Sequence, residues 1–270
     1  MSEQVVLSWG AGTDRGLRRA TNQDAYLAEP PVFLVADGMG GHDGGAEASR
    51  AAIDGFRPLI GRRAVTVADV EAAFASALGA VEAVGVEGLA AGTTLAGAAI
   101  CEEAGATYWL ILNVGDSRTY RLVDGVLEQV SVDHSAVQAL VERGEIDAAA
   151  AARHPHRNVV TRALGAGSSA VPDYWLLPAE AGDRILVCSD GLTKDLADAR
   201  IEEILRAESS AQAAATRLVH EALLHGGHDN VTAVVADLHA LADADEHPTS
   251  PADADTVPRA PEEGERVAQL

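Results

Sequence analysis

The sequence predicts an α+β fold in which antiparallel or mixed sheets are covered by helices. Short β-rich stretches alternate with alanine- and leucine-rich helical ones in an order that does not repeat strictly. Several strands in the middle of the chain follow one another through turns, which argues against a doubly wound parallel sheet. A hydrophobic content of 47% over 270 residues is enough for a sizeable core. Two sheets with helices packed outside accommodate the count.

Taken in order, the strand candidates are Val5–Trp9, Ala25–Ala28, Val32–Ala36, Thr94–Cys101, Tyr108–Val114, Thr119–Val123, Trp175–Leu177, Arg184–Cys188 and Val231–Leu238. Each is a β-branched or aromatic run between turn residues. Helices are predicted over Gly45–Leu59, Val67–Val84, Ser135–Arg143, Ile201–Arg206 and Ser210–His225, where alanine and leucine recur three and four residues apart. "YRLVDGVLEQV" reads as a hairpin, because Asp124-Gly125 supplies the turn between two alternating runs. Residues 241–270 hold four of the ten prolines and eight acidic residues against two arginines. Such a segment buries too little to repay its ordering entropy, so the folded domain is expected over 1–240 and a disordered acidic tail over 241–270.

The formal charge of −21 excludes an extended nucleic-acid or anionic-membrane surface, since the densest basic cluster, Arg15, Arg18 and Arg19, is small. Cys101 and Cys188 are too few for a disulfide framework or a thiolate metal site. Each adjoins an apolar run, so both are expected buried and free, as suits a reducing cytoplasm. No basic region leads into a long apolar segment at the start of the sequence, and no 18 apolar residues run together. The expectation is a cytoplasmic protein without a membrane span.

Asp-Gly occurs five times, at Asp37, Asp43, Asp54, Asp124 and Asp190, so the pair by itself means only a turn. Context separates them. Asp37 and Asp190 end the apolar runs "VFLVAD" and "RILVCSD"; Asp116 follows another such run and a glycine, and Asp229 precedes one. Four carboxylates at four strand ends would repel each other if brought together, so either they lie apart or cations hold them. Oxygen ligands without histidine or cysteine would select magnesium or manganese over zinc.

"RATNQDA", "ADGMGGH", "GTTL", "VGDSRTYRL", "DHS", "VTRALG", "CSDGLTKDL" and "HDNVTAVV" occur in that order over about residues 10 to 240. This set resembles the metal-dependent type 2C protein serine/threonine phosphatases in their bacterial form. The resemblance implies an α-β-β-α sandwich of two central antiparallel sheets whose loops at one end hold a binuclear Mn2+ or Mg2+ centre. It implies that Asp37 bridges the two metals and the Gly38 carbonyl binds the second. Asp190 and Asp229 would complete the first, and Asp116 would join Asp190 at a third, weaker site. Arg19 would bind phosphate, its planar fork matching two phosphoryl oxygens. Gln23 and Asp24 would stand behind the ligands. Water activated between two cations would then attack the phosphorus of phosphoserine or phosphothreonine in line, without a phosphoenzyme.

Two positions depart from the family pattern. Gln23 replaces a glutamate that hydrogen-bonds metal waters in many relatives, which predicts weaker second-metal binding. Met39 stands where eukaryotic members carry a histidine general acid; either His42 three residues on substitutes, or His42 is a solvated or capping residue of the glycine loop and water, free or on the third metal, protonates the leaving oxygen. Residues 136–159 fall where the family has a mobile flap. Thr93 and Thr94 are expected to satisfy buried backbone groups near the metal loops. The partners implied are phosphorylated proteins, as substrates of a bacterial serine/threonine kinase, with the phosphatase itself a monomer. A haloacid-dehalogenase reading fails because Met39 lies where its second aspartate belongs. A cysteine-phosphatase reading fails because Lys194 is not a forked cation and Asp190 would raise the Cys188 thiol. An inactive phosphoprotein-binding regulator of the same fold is the remaining alternative.

Overall fold

A computed structural model describes residues 3–40, 44–84, 91–151, 153–168 and 170–243. The strands are β1 (Glu3–Asp14), β2 (Asp24–Glu29), β3 (Val32–Met39), β4 (Gly92–Thr93), β5 (Leu95–Glu103), β6 (Ala106–Val114), β7 (Arg118–Val123), β8 (Val126–Gln129), β9 (Leu164–Gly165), β10 (Asp173–Pro178), β11 (Arg184–Cys188) and β12 (Val231–Asp243). The helices are α1 (Gly44–Asp54), α2 (Val67–Val84), α3 (Ala136–Glu142), α4 (Ala148–Ala151), α5 (Asp190–Asp195), α6 (Asp198–Ala207) and α7 (Ala211–Leu224), with a 3-10 turn over Arg57–Leu59. One sheet runs β1-β12-β11-β7-β8, and the other β10-β6-β5-β3-β4-β9 with β2 also on β3. The strand pairs are antiparallel.

Strand alternation builds three apolar layers. Phe33, Val35, Ile100, Trp109 and Ile111 of one sheet meet Ile185, Val187, Val234, Ala236 and Leu238 of the other. The next residues along the same strands face outward: Leu34, Ala36, Leu110 and Leu112 pack on α1 and α2 through Ala48, Ala52, Phe74 and Ala77. On the opposite flank Leu186, Cys188, Ala233 and Val235 pack on α6 and α7 through Ile201, Ile204, Ala215 and Leu218. The result is the expected α-β-β-α sandwich, with its inner layer apolar on both sides.

Several boundaries differ from the sequence expectation. The helix predicted over Gly45–Leu59 ends at Asp54, because Gly55 and Pro58 cannot extend it, and a 3-10 turn follows. β1 continues past Trp9 to Asp14 through two glycines; a Cβ on Gly10 would sit 2.2 Å from Gln212 Cα, so the missing side chain is what lets α7 lie against the strand. The Asp124-Gly125 hairpin stands as predicted, both residues having positive φ (51° and 78°) between β7 and β8. Cys101 and Cys188 are buried and free. In the 136–159 segment, Ser135 caps α3 by accepting from Gln138 N at 3.2 Å, and the alanine run forms the single turn of α4. β12 reaches Asp243, slightly beyond the expected domain end, and the predicted tail from 244 onward lies outside the described residues. Among the described residues no helix is long and apolar enough to cross a membrane.

Candidate active site

Antiparallel pairing brings the ends of β3, β6 and β11 and the starts of β2 and β12 to one end of the sandwich. Asp24 opens β2 directly across the ladder from Asp37 on β3. Asp116 follows β6, Asp190 begins α5 just after β11, and Asp229 lies two residues before β12. Asp37 is therefore held within a strand rather than at its end, since β3 runs on to Met39 and pairs Gly38 with Thr93.

The backbone around Asp37 is fixed by the two threonines. Asp37 N donates to Thr94 Oγ1 at 3.0 Å, Thr94 N donates to Asp37 O at 2.9 Å, and Thr93 Oγ1 donates to the same carbonyl at 2.9 Å. Thr94 Oγ1 also shares a 2.8 Å hydrogen bond with Ser117 Oγ beside Asp116. At Gly38 a Cβ would stand 2.2 Å from Gly45 O and 2.5 Å from Gln23 O, so no other residue permits this approach.

Electrostatically the carboxylates outnumber their local cations. Burial, then repulsion from Asp24, Asp190 and Asp116, raises Asp37 well above the usual carboxylate range. Burial likewise raises Asp24 to about 7, with hydrogen bonds from Thr232 and Ser189 opposing the shift and Asp190 and Asp229 adding to it. Asp116 is raised to about 7 by burial and by Asp190. Asp229 behaves oppositely: burial would raise it, but Lys194, Asn230 and Arg19 together bring it below its ordinary value. Arg19 grips Asp229 with both prongs, Nε on Oδ1 at 2.8 Å and Nη2 on Oδ2 at 2.9 Å, while its side chain stays 53% exposed. Lys194 Nζ lies 2.5 Å from Asp190 Oδ2 and 3.1 Å from Asp229 Oδ2.

The donor set suits a hard cation. Asp24 Oδ1 and Asp190 Oδ1 are buried without a hydrogen-bond partner, a costly arrangement unless something positive reaches them. The converging oxygens carry no thiolate or imidazole among them, which fits magnesium or manganese better than zinc. Among the described residues no three acidic, histidine or cysteine side chains form a finished metal cage; Arg19 and Lys194 hold two of the carboxylates instead.

All of Arg19, Asp37, Asp116, Asp190 and Asp229 thus meet at one end. Gln23 lies just before β2, its backbone N donating to Asn230 Oδ1 at 2.9 Å and its side chain against Gly45. His42 lies outside the described residues. Sequence reasoning missed four contributors. In the sequence Lys194 stands out only as a cation six residues after Cys188. Ser189 Oγ and Thr232 Oγ1 donate to Asp24 Oδ2 at 2.8 and 2.7 Å. Asn230 Nδ2 ties down the Arg19 loop through the Arg15 and Thr21 carbonyls, both at 2.9 Å. The only signal for these three was adjacency to Asp190 or Asp229 in "CSDG" and "HDNVT".

The model of the protein phosphatase 2C family matches residues 11–225. Serine/threonine protein phosphatase PstP of Mycobacterium tuberculosis is 39% identical over 241 residues, covering 87% of this chain and 45% of PstP. This chain thus spans under half the length of that relative. The Listeria innocua serine/threonine phosphatase stp is 32% identical over 247 residues, 85% of this chain and 95% of its own. A crystal structure of Mycobacterium tuberculosis PstP superposes with a TM-score of 0.80 at 37% identity, covering 87% of this chain and all of that one. The PstP catalytic domain in complex with two manganese ions gives 0.78 at 36% identity, with 87% and 100% coverage.

Proposed function

We propose that this chain, which belongs to the protein phosphatase 2C family, is a metal-dependent phosphatase that removes phosphate from phosphoserine and phosphothreonine in proteins. The observation that carries the reading is the convergence of five aspartates carried on or next to five separate strands, two of them with buried oxygens that nothing among the described residues satisfies.

Asp37, the Gly38 carbonyl, Asp190 and Asp229 would hold two divalent cations, manganese or magnesium, with Asp116 and Asp190 offering a third place. Bound there, such cations lower the pKa of water and offset negative charge on phosphoryl oxygens. The reaction exchanges the phosphorus–oxygen bond to serine or threonine for one to water, so charge on the equatorial oxygens must be neutralised. Arg19, exposed and forked, is suited to take two of those oxygens once it lets go of Asp229. Asp24 holds the base of β2 opposite Asp37, and Gln23 anchors the loop that carries Arg19. Thr93 and Thr94 keep Asp37 rigid, so the site enters the reaction already shaped.

The free thiols suit a cytoplasmic setting, in which the substrates would be products of a serine/threonine kinase. Residues 1–240 would be a catalytic domain acting as a monomer, and 241–270 an acidic tail outside it. The test is hydrolysis of a chromogenic phosphate ester and of a phosphothreonine peptide, with Mn2+ and with chelator, by the native chain and by Asp190→Ala. Activity that needs the metal and Asp190 is expected. Hydrolysis that survives both removals rejects the reading; no hydrolysis by the native chain with Mn2+ leaves the binding-only alternative.

A further inference from the structure

Lys194 is the only lysine in the chain; every other one of its 20 lysines and arginines is an arginine. It projects from α5 between Asp190 and Asp229, with Nζ in contact with one carboxylate oxygen of each. Asp190 keeps its other oxygen, Oδ1, unpartnered, but both oxygens of Asp229 are taken, by Arg19 and by Lys194, so a divalent ion shared by the two aspartates, at about 2.0–2.2 Å from its ligands, competes with Lys194 for them. An ammonium in contact with both carboxylates repels a divalent ion bound to the same pair.

We infer that Lys194 is a built-in cation that occupies the Asp190–Asp229 position when metal is absent and must be displaced before metal can bind. This rests on the phosphatase reading above and adds to it a control on how the site loads. Burial would discharge the ammonium, but the neighbouring Asp190 and Asp229 keep it charged. Its charge also acts on Asp37 and Asp116, opposing the burial and repulsion that raise them. The residue type fits the role. A lysine is a compact charge on a flexible stem, whereas an arginine fork would clamp two carboxylates and release them reluctantly. The stem is 29% exposed, which leaves a path to solvent. The backbone beneath need not move: Asp195 accepts from His228 N at 3.1 Å and Leu196 is buried in the helical layer. The chain's own charge thus protects a self-repelling site and, for the same reason, lowers its affinity for metal.

The test is calorimetric titration of Mn2+ into the metal-free native protein, Lys194→Met and Lys194→Arg. Met keeps the stem and removes the charge, so it should bind about tenfold more tightly than native; Arg should bind more weakly than native. A second arm needs no variant. Acylation of the single ε-amine of the native protein, followed by mass spectrometry of the peptide containing Lys194, should run several-fold faster with Mn2+ than without. Equal or weaker Mn2+ binding by Lys194→Met, or labelling that Mn2+ leaves unchanged or slows, overturns the inference. A native protein that binds no Mn2+, or binding that persists in Asp190→Asn, rejects the metal-site reading itself. Binding abolished by Asp190→Asn but indifferent to Lys194→Met rejects only the displacement.

Discussion

Strand β11 begins beside a buried aspartate and ends near a half-buried one, and the two are treated in opposite ways. Asp183, before Arg184, accepts from Trp109 Nε1 at 3.1 Å, from Glu180 N at 2.9 Å and from the Arg121 guanidinium at 2.7–2.8 Å. Next to it Arg184 forms a two-pronged pair with Asp237 at 2.6 and 2.8 Å. At the other end, Asp190 has one oxygen on Lys194 and the other buried with no partner, in a group of five aspartates facing two cations. The first end is neutralised by donors that the fold holds still; the second leaves charge over, and leftover negative charge in a shaped cleft is capacity for a ligand.

The sharpest way to break that contrast is to remove one carboxylate from each end. Asp37→Asn should lower phosphatase activity by on the order of 10³-fold. It should also leave the metal-free fold as stable as before or more so, because it deletes a charge that burial and three neighbours oppose. Hydrolysis of a chromogenic phosphate ester and thermal unfolding measure the two effects. A destabilised fold with undiminished Mn2+-dependent hydrolysis would reverse the assignment.

Asp183→Ala should do the converse. It strands Arg121 and the Trp109 indole N–H in a buried setting and should cost about 3 kcal/mol of stability, read from urea unfolding. The kcat of the molecules that remain folded should be unchanged. A mild effect on unfolding would mean that the satisfied end owes less to its ion pair than its geometry implies.

How much of this contrast the sequence revealed depends on the physics of each part. The layers were legible because alternation along β3, β6, β11 and β12 is long and regular, and the carboxylates stood out because apolar runs led into them. α5 was not, since "DGLTKD" is too short for a helical period and opens on a residue read as a strand end. β4 and β9 were invisible for a related reason: two residues pair only because tertiary packing brings Gly92 and Thr93 against Gly165 and Leu164. The partners of Asp24, namely Ser189 and Thr232, come from places 165 and 208 residues away, and nothing local in the chain specifies such pairings. Lys194 was hidden by its charge alone, because an exposed salt bridge is the ordinary role of a lysine four residues after an aspartate on a helix.

The under-neutralised end also predicts a pH response. Asp24 and Asp116 have folded pKa values of about 7, raised above the ordinary 3.8. Between about pH 4 and 7 the folded state therefore binds more protons than the unfolded chain, and stability should fall as pH rises through that window. Metal-free protein should melt at a higher temperature at pH 5 than at pH 8, and saturating Mn2+ should flatten the difference by favouring the ionised carboxylates. A metal-free melting temperature that rises with pH across this interval would contradict the charge imbalance.

The smallest effect probes the boundary between the two kinds of site. Thr232 belongs to the rigid frame, sharing a 2.8 Å hydrogen bond with Thr13 Oγ1 and accepting nothing from solvent, yet its hydroxyl donates to Asp24 Oδ2 at 2.7 Å. Thr232→Val keeps the shape and removes that donor, at a net cost of about 1 kcal/mol. Because the bond favours the ionised carboxylate, its loss should push Asp24 higher still, and the fall in metal-free stability should continue to a higher pH than in the native chain. Paired melting curves from pH 5 to 8.5 measure both quantities. An unchanged pH profile alongside the stability loss would assign Thr232 to the frame alone, and place the border of the electrostatically tuned region at Asp24 rather than behind it.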